Sequence, residues 1–193
     1  MSPSNTSKNT QRKRTLPGDT AAKGNQTIAQ MVRVNHAGEY GAQQIYKGQI
    51  AVLGKTDVGP MLEHMAQQEQ EHLQYFENEL TQRRVRPTAM EPIWRVAGYA
   101  LGVGTALMGK EAAMACTEAV EEVIIDHYQD QLDQLTESDE ADLKKHIQKF
   151  KDEEDEHRQI GVDHDAHLSP AYEILTKFIK AGSKAAIKIS ERI

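Results

Sequence analysis

The sequence predicts an all-α protein: a four-helix bundle of two helical hairpins, joined by an apolar crossover and followed by an extra amphipathic helix at the C-terminus. Three observations predict it. Aromatic residues make up only 5% of the chain, and Ala, Gln, Glu, Leu and Ile dominate long stretches, a composition that favours helix over sheet. Apolar residues recur at intervals of three and four along segments of helical length. Turn-forming residues fall between those segments. With 193 residues the chain is long enough for one domain with a sizeable core and too short for two ordinary ones.

Residues 1–24 are polar and basic and lack apolar periodicity, so they cannot offset the entropy of ordering. A disordered tail is expected there, ahead of a domain spanning residues 25–193. Its Ser and Thr content, the run Arg12 to Arg14 and the lack of an acid before Asp19 also suit an organellar transit peptide, although no amphipathic helix is evident. The periodicity then predicts a first helix over Thr27–Leu53, a turn at GKTDVGP and a second helix over Met61–Arg84, together a hairpin. Pro87 and Pro92 punctuate the Gly-rich apolar segment IWRVAGYALGVGTALMG, which is too long for a tight turn and too short to span a membrane. It is expected to cross over the bundle. A third helix is predicted over Glu111–Leu135, a turn at TESDE and a fourth helix over Ala141–His167. Ser169 and Pro170 are expected to open the last helix, with the proline at its first position.

The lone cysteine, Cys116, excludes an internal disulfide and a thiolate cluster, so any metal must rest on carboxylates and imidazoles. No stretch approaches the ~20 apolar residues of a bilayer span, and the N-terminus lacks the apolar core of a secretory signal. Net charge is −6, and no nucleic-acid partner is expected. Lys177, Lys180, Lys184 and Lys188 nevertheless recur at helical spacing beside Ile174, Phe178 and Ile187. Such a helix either lies on an anionic membrane or packs on the bundle with a solvated lysine edge, and the sequence leaves both open.

Two ExxH pairs, Glu69 with His72 and Glu154 with His157, place their side chains on one helix face. One such pair arises by chance in a chain of this composition, so position must support the pattern. At about 100° of rotation per residue, Leu62, Met65, Leu73, Phe76 and Leu80 all project near Glu69. Leu143, Ile147, Phe150, Gly161 and Leu168 gather in the same way around Glu154. Ile28, Val32, Tyr46, Ile50 and Leu53 surround Glu39, and Met114, Ile125, Tyr128, Leu132 and Leu135 surround Glu121. Each of four helices thus points one glutamate into the core. A buried, unpaired carboxylate costs several kcal/mol, so something positive must compensate them. No Lys or Arg lies deep in these stripes apart from Lys110 at one end, whereas two divalent cations would balance four carboxylates and leave two neutral imidazoles as ligands.

Heights along the helices give a second check. Two ligands on an antiparallel hairpin are level only if the turn falls midway between them. Glu39 and Glu69 have their midpoint at Gly54, and Glu121 and Glu154 have theirs between Glu137 and Ser138, each within a predicted turn. The E…ExxH spacing occurs twice, as in a duplicated hairpin. Glu118 and Glu122 lie off the stripe centre, and His64, His146, His164 and His167 are displaced from the stripes, so all six are expected at the edge or the surface. Oxygen-rich ligation with two imidazoles suits iron or manganese better than zinc or copper. One Glu from each of two helices with ExxH from each of the other two is the ferritin-like di-metal carboxylate arrangement, in which Glu69 and Glu154 bridge the ions while Glu39 and Glu121 each bind one. Such a site would either activate dioxygen for transfer to a substrate or oxidise and store iron, and the ligand set does not separate the two.

The stretches RVNHAGEYGA, IYKGQIAVLG, VGPMLEHM, QEQEHL, GYALGVGTALMGKEAAMACTEAVEE, DEEDEHRQIG and LSPAYEILTKFIKAGSKAAIKISERI resemble the demethoxyubiquinone hydroxylase family of ubiquinone biosynthesis over about residues 27–193. HAGEYGA and GTALMGKEAAMAC are its most specific parts. The resemblance implies a ferritin-like di-iron monooxygenase that hydroxylates the ring of a polyprenylated quinone intermediate at a membrane surface. It carries iron ligation onto Glu39, Glu69, His72, Glu121, Glu154 and His157, the same six residues, and implicates His127 and Tyr128 near the site. It further implies dioxygen and an unidentified electron donor as co-reactants, and peripheral attachment to the cytoplasmic side of a bacterial inner membrane or, alternatively, the matrix side of the mitochondrial one. A homo-oligomer or a lipid-presenting partner protein stays open. The runner-up function is a ferroxidase or iron store, and a metal-free helical adaptor is a third.

Overall fold

The computed structural model describes residues 23–135 and 140–193, and among these the chain is helical with no strand. The helices are α1 (Lys23–Leu53), α2 (Gly59–Arg83), α3 (Glu91–Leu107), α4 (Lys110–Gln134), α5 (Ala141–Asp163) and α6 (Tyr172–Ser190). Pairs α1–α2 and α4–α5 form the two hairpins of a ferritin-like bundle, while α3 and α6 pack outside it. All but the last two residues of the expected tail lie outside the described residues, and Lys23 and Gly24 already belong to α1. Residues 136–139, most of the expected TESDE turn, lie outside them as well.

The first hairpin closes where the spacing requires. Leu53 ends α1, and its carbonyl accepts from the Thr56 hydroxyl at 2.6 Å. Pro60 stands in the first turn of α2, slightly ahead of the expected start, because a residue without an N–H costs nothing where the helix has no acceptor for it. Arg84 closes α2 in the left-handed region at φ 56°, which lets the Val85 N–H reach the Leu80 carbonyl at 2.9 Å.

The apolar crossover is itself a helix. Glycines on both helices bring α3 against α1 backbone to backbone: a Cβ on Gly102 of α3 would stand 2.0 Å from the Ile45 carbonyl oxygen, and one on Gly48 of α1 would stand 2.4 Å from that of Tyr99. Gly104, on the same helix, faces open space. Gly102→Ala is therefore expected to destabilise the fold by about 1–3 kcal/mol in urea unfolding, whereas Gly104→Ala should be neutral or slightly stabilising. Equal effects from the two would remove this account of the α1–α3 contact.

The C-terminal expectations need two corrections. Helix α5 stops at Asp163 rather than His167, because Asp165 turns left-handed at φ 61° and the chain tightens into a 3₁₀ turn over Ala166–Leu168. Leu168 consequently leaves the Glu154 stripe and is 63% exposed. Pro170 is not the first residue of α6. The Ala171 carbonyl accepts the opening bonds from the Ile174 and Leu175 N–H groups, so the cap is Ala171, at φ 54°, and Pro170 lies just outside it.

The core divides into two apolar clusters. One contains Val32, Phe76, Ile124, Tyr128, Ile147 and Phe150, and the other contains Tyr46, Leu62, Met65 and Met114 with Ile160 at its edge. Along α1, Glu39 falls between Val32 and Tyr46; along α2, Glu69 falls between Met65 and Phe76. Glu121 on α4 and Glu154 on α5 fall between the same two clusters. The helix periodicity thus places a layer of acids across the middle of an apolar bundle.

Candidate metal centre

That layer is fully enclosed. Glu39 and Glu121 are 1% exposed, and Glu69, His72, Glu154 and His157 are 0% exposed. Their ligand atoms form two overlapping groups, Glu39–Glu69–His72–Glu154 and Glu69–Glu121–Glu154–His157, each with its atoms within 4.8 Å of one another. Glu69 and Glu154 belong to both. Each group could hold a metal ion. Four carboxylate oxygens in the layer have no hydrogen-bond partner: Glu39 Oε2, both oxygens of Glu69, and Glu121 Oε2. Buried oxygens of this kind are rare in a folded protein, and a cation is the partner that fits a set made only of carboxylates and imidazoles.

The electrostatics without a cation show what such an ion has to overcome. Burial, then the charge of Glu154 and the other acids, pushes the Glu69 carboxyl well above its usual range. Burial and Glu154 do the same to Glu121, against the pull of His157 and the Tyr46 hydroxyl. Burial opposes the charging of His72, but the hydrogen bond to Glu154 and the nearby charge of Glu39 prevail and push it up to about 12. His157 is also raised, burial again being overcome, here by Glu154. Glu154, which accepts from both imidazoles, is held down at about 2 despite its burial. The layer therefore retains protons that a divalent cation would replace.

Around the layer the two halves of the bundle exchange partners. The Tyr46 hydroxyl donates to Glu121 Oε1 at 2.9 Å, and the Tyr128 hydroxyl donates to Glu39 Oε1. Each terminal glutamate thus has one oxygen tied by a tyrosine of the other hairpin and one left without a hydrogen-bond partner. His72 Nε2 lies 2.9 Å from Glu153 on α5, and His157 Nε2 lies 3.1 Å from Gln68 on α2. A buried pair beside Tyr128, Asn35 with Gln131, exchanges two amide hydrogen bonds at 2.8 and 2.7 Å.

Of the residues predicted from sequence, all six candidate ligands come together and Tyr128 touches one of them. His127 bonds Gln131 at 2.7 Å instead of any of the six, and burial lowers its pKa to about 4, so its ring stays neutral. Glu118 accepts from the Tyr172 hydroxyl and Glu122 pairs with Lys180 at 2.5 Å, both on the α6 side of α4. His64, His164 and His167 are exposed and His146 is half-buried. Sequence reasoning missed Tyr46, Gln68 and Glu153 as supporting groups. A signal for each was present: Tyr46 follows Glu39 by the same seven residues as Tyr128 follows Glu121, and Gln68 and Glu153 each stand immediately before the glutamate of an ExxH pair.

A ferritin-like bundle with two interlocked carboxylate–imidazole groups at its centre defines a class of helical protein whose core could hold metal ions. Within that class, the family model for ubiquinone biosynthesis protein COQ7 matches residues 26–190, and the chain belongs to that family. It is 53% identical over 169 residues to the NADPH-dependent 3-demethoxyubiquinone 3-hydroxylase, mitochondrial, of Homo sapiens, covering 86% of this chain and 78% of the relative. It is 51% identical over 180 residues to the 3-demethoxyubiquinol 3-hydroxylase of Rhodospirillum rubrum, covering 92% and 83%. The 5-demethoxyubiquinone hydroxylase, mitochondrial, of Saccharomyces cerevisiae is 40% identical over 182 residues, covering 86% and 78%.

Proposed function

We propose that this chain is an oxygen-dependent hydroxylase of the ring of a polyprenylated demethoxyubiquinone or its quinol, with residues 25–193 as its di-iron domain. The observation that carries the reading is the pair of buried groups sharing Glu69 and Glu154, with carboxylate oxygens that lack a hydrogen-bond partner. Six residues would hold two iron ions: Glu69 and Glu154 between them, Glu39 and His72 on one, and Glu121 and His157 on the other. When bound and reduced, the iron pair would supply two electrons for the reduction of dioxygen, the ring C–H giving the other two, so that with two protons one oxygen atom ends in the ring hydroxyl and the other in water. The relatives named above are hydroxylases rather than iron stores, which favours this over the ferroxidase reading.

The protein's own residues serve binding and exclusion. Phe76, Met65, Met114 and Phe150 seal the layer from bulk water, which strengthens every electrostatic interaction inside it. Tyr46 and Tyr128 fix one oxygen of each terminal glutamate, so that each offers its other oxygen inward. Among α1, α3, α4 and α6 lies an apolar cavity of about 340 Å³ whose lining includes Ile45, Leu101, Ile124 and Ile179. Gly38 and Val120 also line it, and these are the chain neighbours of Glu39 and Glu121. A prenylated ring entering here would come to the edge of the acid layer.

The outside of the cavity supports attachment to a membrane. Among the described residues no helix is long and apolar enough to cross one. Helix α6 packs on the bundle through Thr176 and Ile179, yet leaves Ile174 and Phe178 about three-quarters exposed beside the exposed lysines 177, 184 and 188. Ile93, Val96, Tyr99 and Leu107 of α3 are exposed as well. An apolar stripe flanked by cations suits the interface of an anionic bilayer, where both the substrate's tail and its donor membrane lie. Relatives from mitochondria and from a bacterium share the family, and an inner-membrane surface is the location proposed for this chain.

The test combines metal analysis of the purified chain, mass analysis of its copurified lipid, and turnover of a short-tailed demethoxyquinone. The expected outcome is two irons per chain, in keeping with two ligand groups, and a product heavier by one oxygen only when reductant and dioxygen are both present. Assembly into a large shell holding many irons per chain would instead establish the iron store.

A further inference from the structure

The outer nitrogens of the two histidines tell the halves of the site apart. His72 turns Nδ1 to the acid layer, 3.2 Å from Glu154 and 3.5 Å from Glu39, and presents Nε2 to Glu153 Oε2 at 2.9 Å. His157 turns Nδ1 inward in the same way, 3.1 Å from Glu154 and 3.2 Å from Glu69, and presents Nε2 to Gln68 Oε1 at 3.1 Å. With a cation on Nδ1, the remaining proton of each ring must sit on Nε2 and be donated outward. The acceptors are supplied reciprocally, α5 serving the histidine of α2 and α2 serving that of α5. One acceptor is a carboxylate and the other a carboxamide.

That difference bears on how tightly each ring holds a cation. An imidazole whose N–H donates to an anion is the stronger electron donor at its other nitrogen, and it adds a negative charge near the metal that a carboxamide does not. The terminal glutamates do not cancel the effect, since each accepts from one tyrosine. Nor is Glu153 a freely solvated surface charge. Its side chain is 21% exposed, and its other oxygen lies 3.3 Å from Lys149 Nζ, whose own side chain is 54% exposed. The carboxylate facing His72 is therefore held in place, while its lysine partner is largely in water.

We propose that the two cation positions are unequal and that Glu153, acting through His72, makes the Glu39–His72 position the tighter one, filled first and emptied last. Glu153 is a positioning residue: it touches the ligand and not the reacting atoms. The proposal rests on the metal-centre reading given above.

The experiment titrates Co(II) into the metal-free full-length chain, following ligand-field absorption and counting bound ions by equilibrium dialysis. Wild type is expected to fill in two steps separated by at least about tenfold in affinity. Glu153→Gln should weaken the first step by about 10–100-fold and bring the two together, while Gln68→Glu should strengthen the second. Thermal unfolding of the metal-free variants should stay close to wild type, since both substitutions conserve shape at partly exposed positions. Two equal steps in wild type overturn the proposal and leave the di-metal reading standing. A Glu153→Gln chain with an unchanged titration, or with both steps weakened alike, overturns it too. Uptake of fewer than two ions by wild type overturns the metal-centre reading and this proposal together.

Discussion

Glu69→Ala is expected to lose both metal and hydroxylated product, turnover falling to the level without enzyme and iron content to less than one per chain. Glu69 belongs to both groups, so on the proposed reading its removal would take a donor from both ions at once, whereas loss of Glu39 or Glu121 would touch only one. It is also the residue whose two oxygens both lack a hydrogen-bond partner, with His157 Nδ1, another of the six, 3.2 Å from one of them. Alanine leaves a cavity, and the isosteric Glu69→Gln separates that packing loss from the chemical one. Burial and the surrounding acids favour the uncharged form of this carboxyl. The neutral amide is therefore expected to leave the metal-free chain at least as heat-stable as wild type at pH 8, with turnover still abolished. Retention of full turnover by either variant would show that the ions, if present, lie elsewhere. A Glu69→Gln chain that fails to fold would show that the acid stabilises the bundle by itself.

How much of this was legible in the sequence follows from which forces are local. Glu39, Glu69, Glu121 and Glu154 could be placed in one layer because helix rotation and rise are fixed, so a residue number alone gives a face and a height. The α1–α2 turn could be placed for the same reason, and Pro60 and Gly54 marked it. Boundaries set by contacts distant in sequence could not be read this way. The apolar stripe of α5 continues in sequence to Leu168, and the break at Asp163 depends on the chain turning to dock α6 on α4. The crossover could be recognised as apolar and glycine-rich, but only the approach of Gly102 to Ile45 explains why glycines there support a helix that would otherwise be weakened by them. Among the site's supporting groups, Tyr128 was accessible because it repeats on the glutamate's face. Glu153 and Gln68 had only their place before each ExxH glutamate to mark them, since each acts on a histidine of the opposite hairpin and the pairing exists only once the hairpins meet. His127 shows the converse: one step along the helix from Tyr128 turns its ring to Gln131 and away from the acids.

Between pH 7 and 8.5 the stability of the metal-free chain is expected to fall as pH rises, and that of the metal-loaded chain is expected to stay level or increase slightly. In the metal-free fold Glu69, Glu121, His72 and His157 all have pKa values above their unfolded ones. Such groups bind more protons folded than unfolded, and their contribution, complete below the unfolded pKa, is lost as pH rises through the folded one. For His72 that interval runs from 6.5 to about 12, so the whole window lies inside it. Each proton of difference is worth about 1.4 kcal/mol per pH unit. Opposing groups are already spent. Glu154, held at about 2, loses its contribution only as pH falls toward that value. His36 and His127 are lowered by burial, so their contribution grows only up to the unfolded value of 6.5. A bound cation cancels this loss, because it requires carboxylates and imidazoles without their protons, and its affinity increases with pH by as much as the metal-free fold loses. Melting temperatures in EDTA and in excess Mn(II), taken without oxygen across this window, should therefore diverge, the first falling and the second level or slightly rising. Parallel slopes would mean that the protons held by the acid layer are not the ones a metal displaces, and the layer would have to be stabilised by something other than a cation.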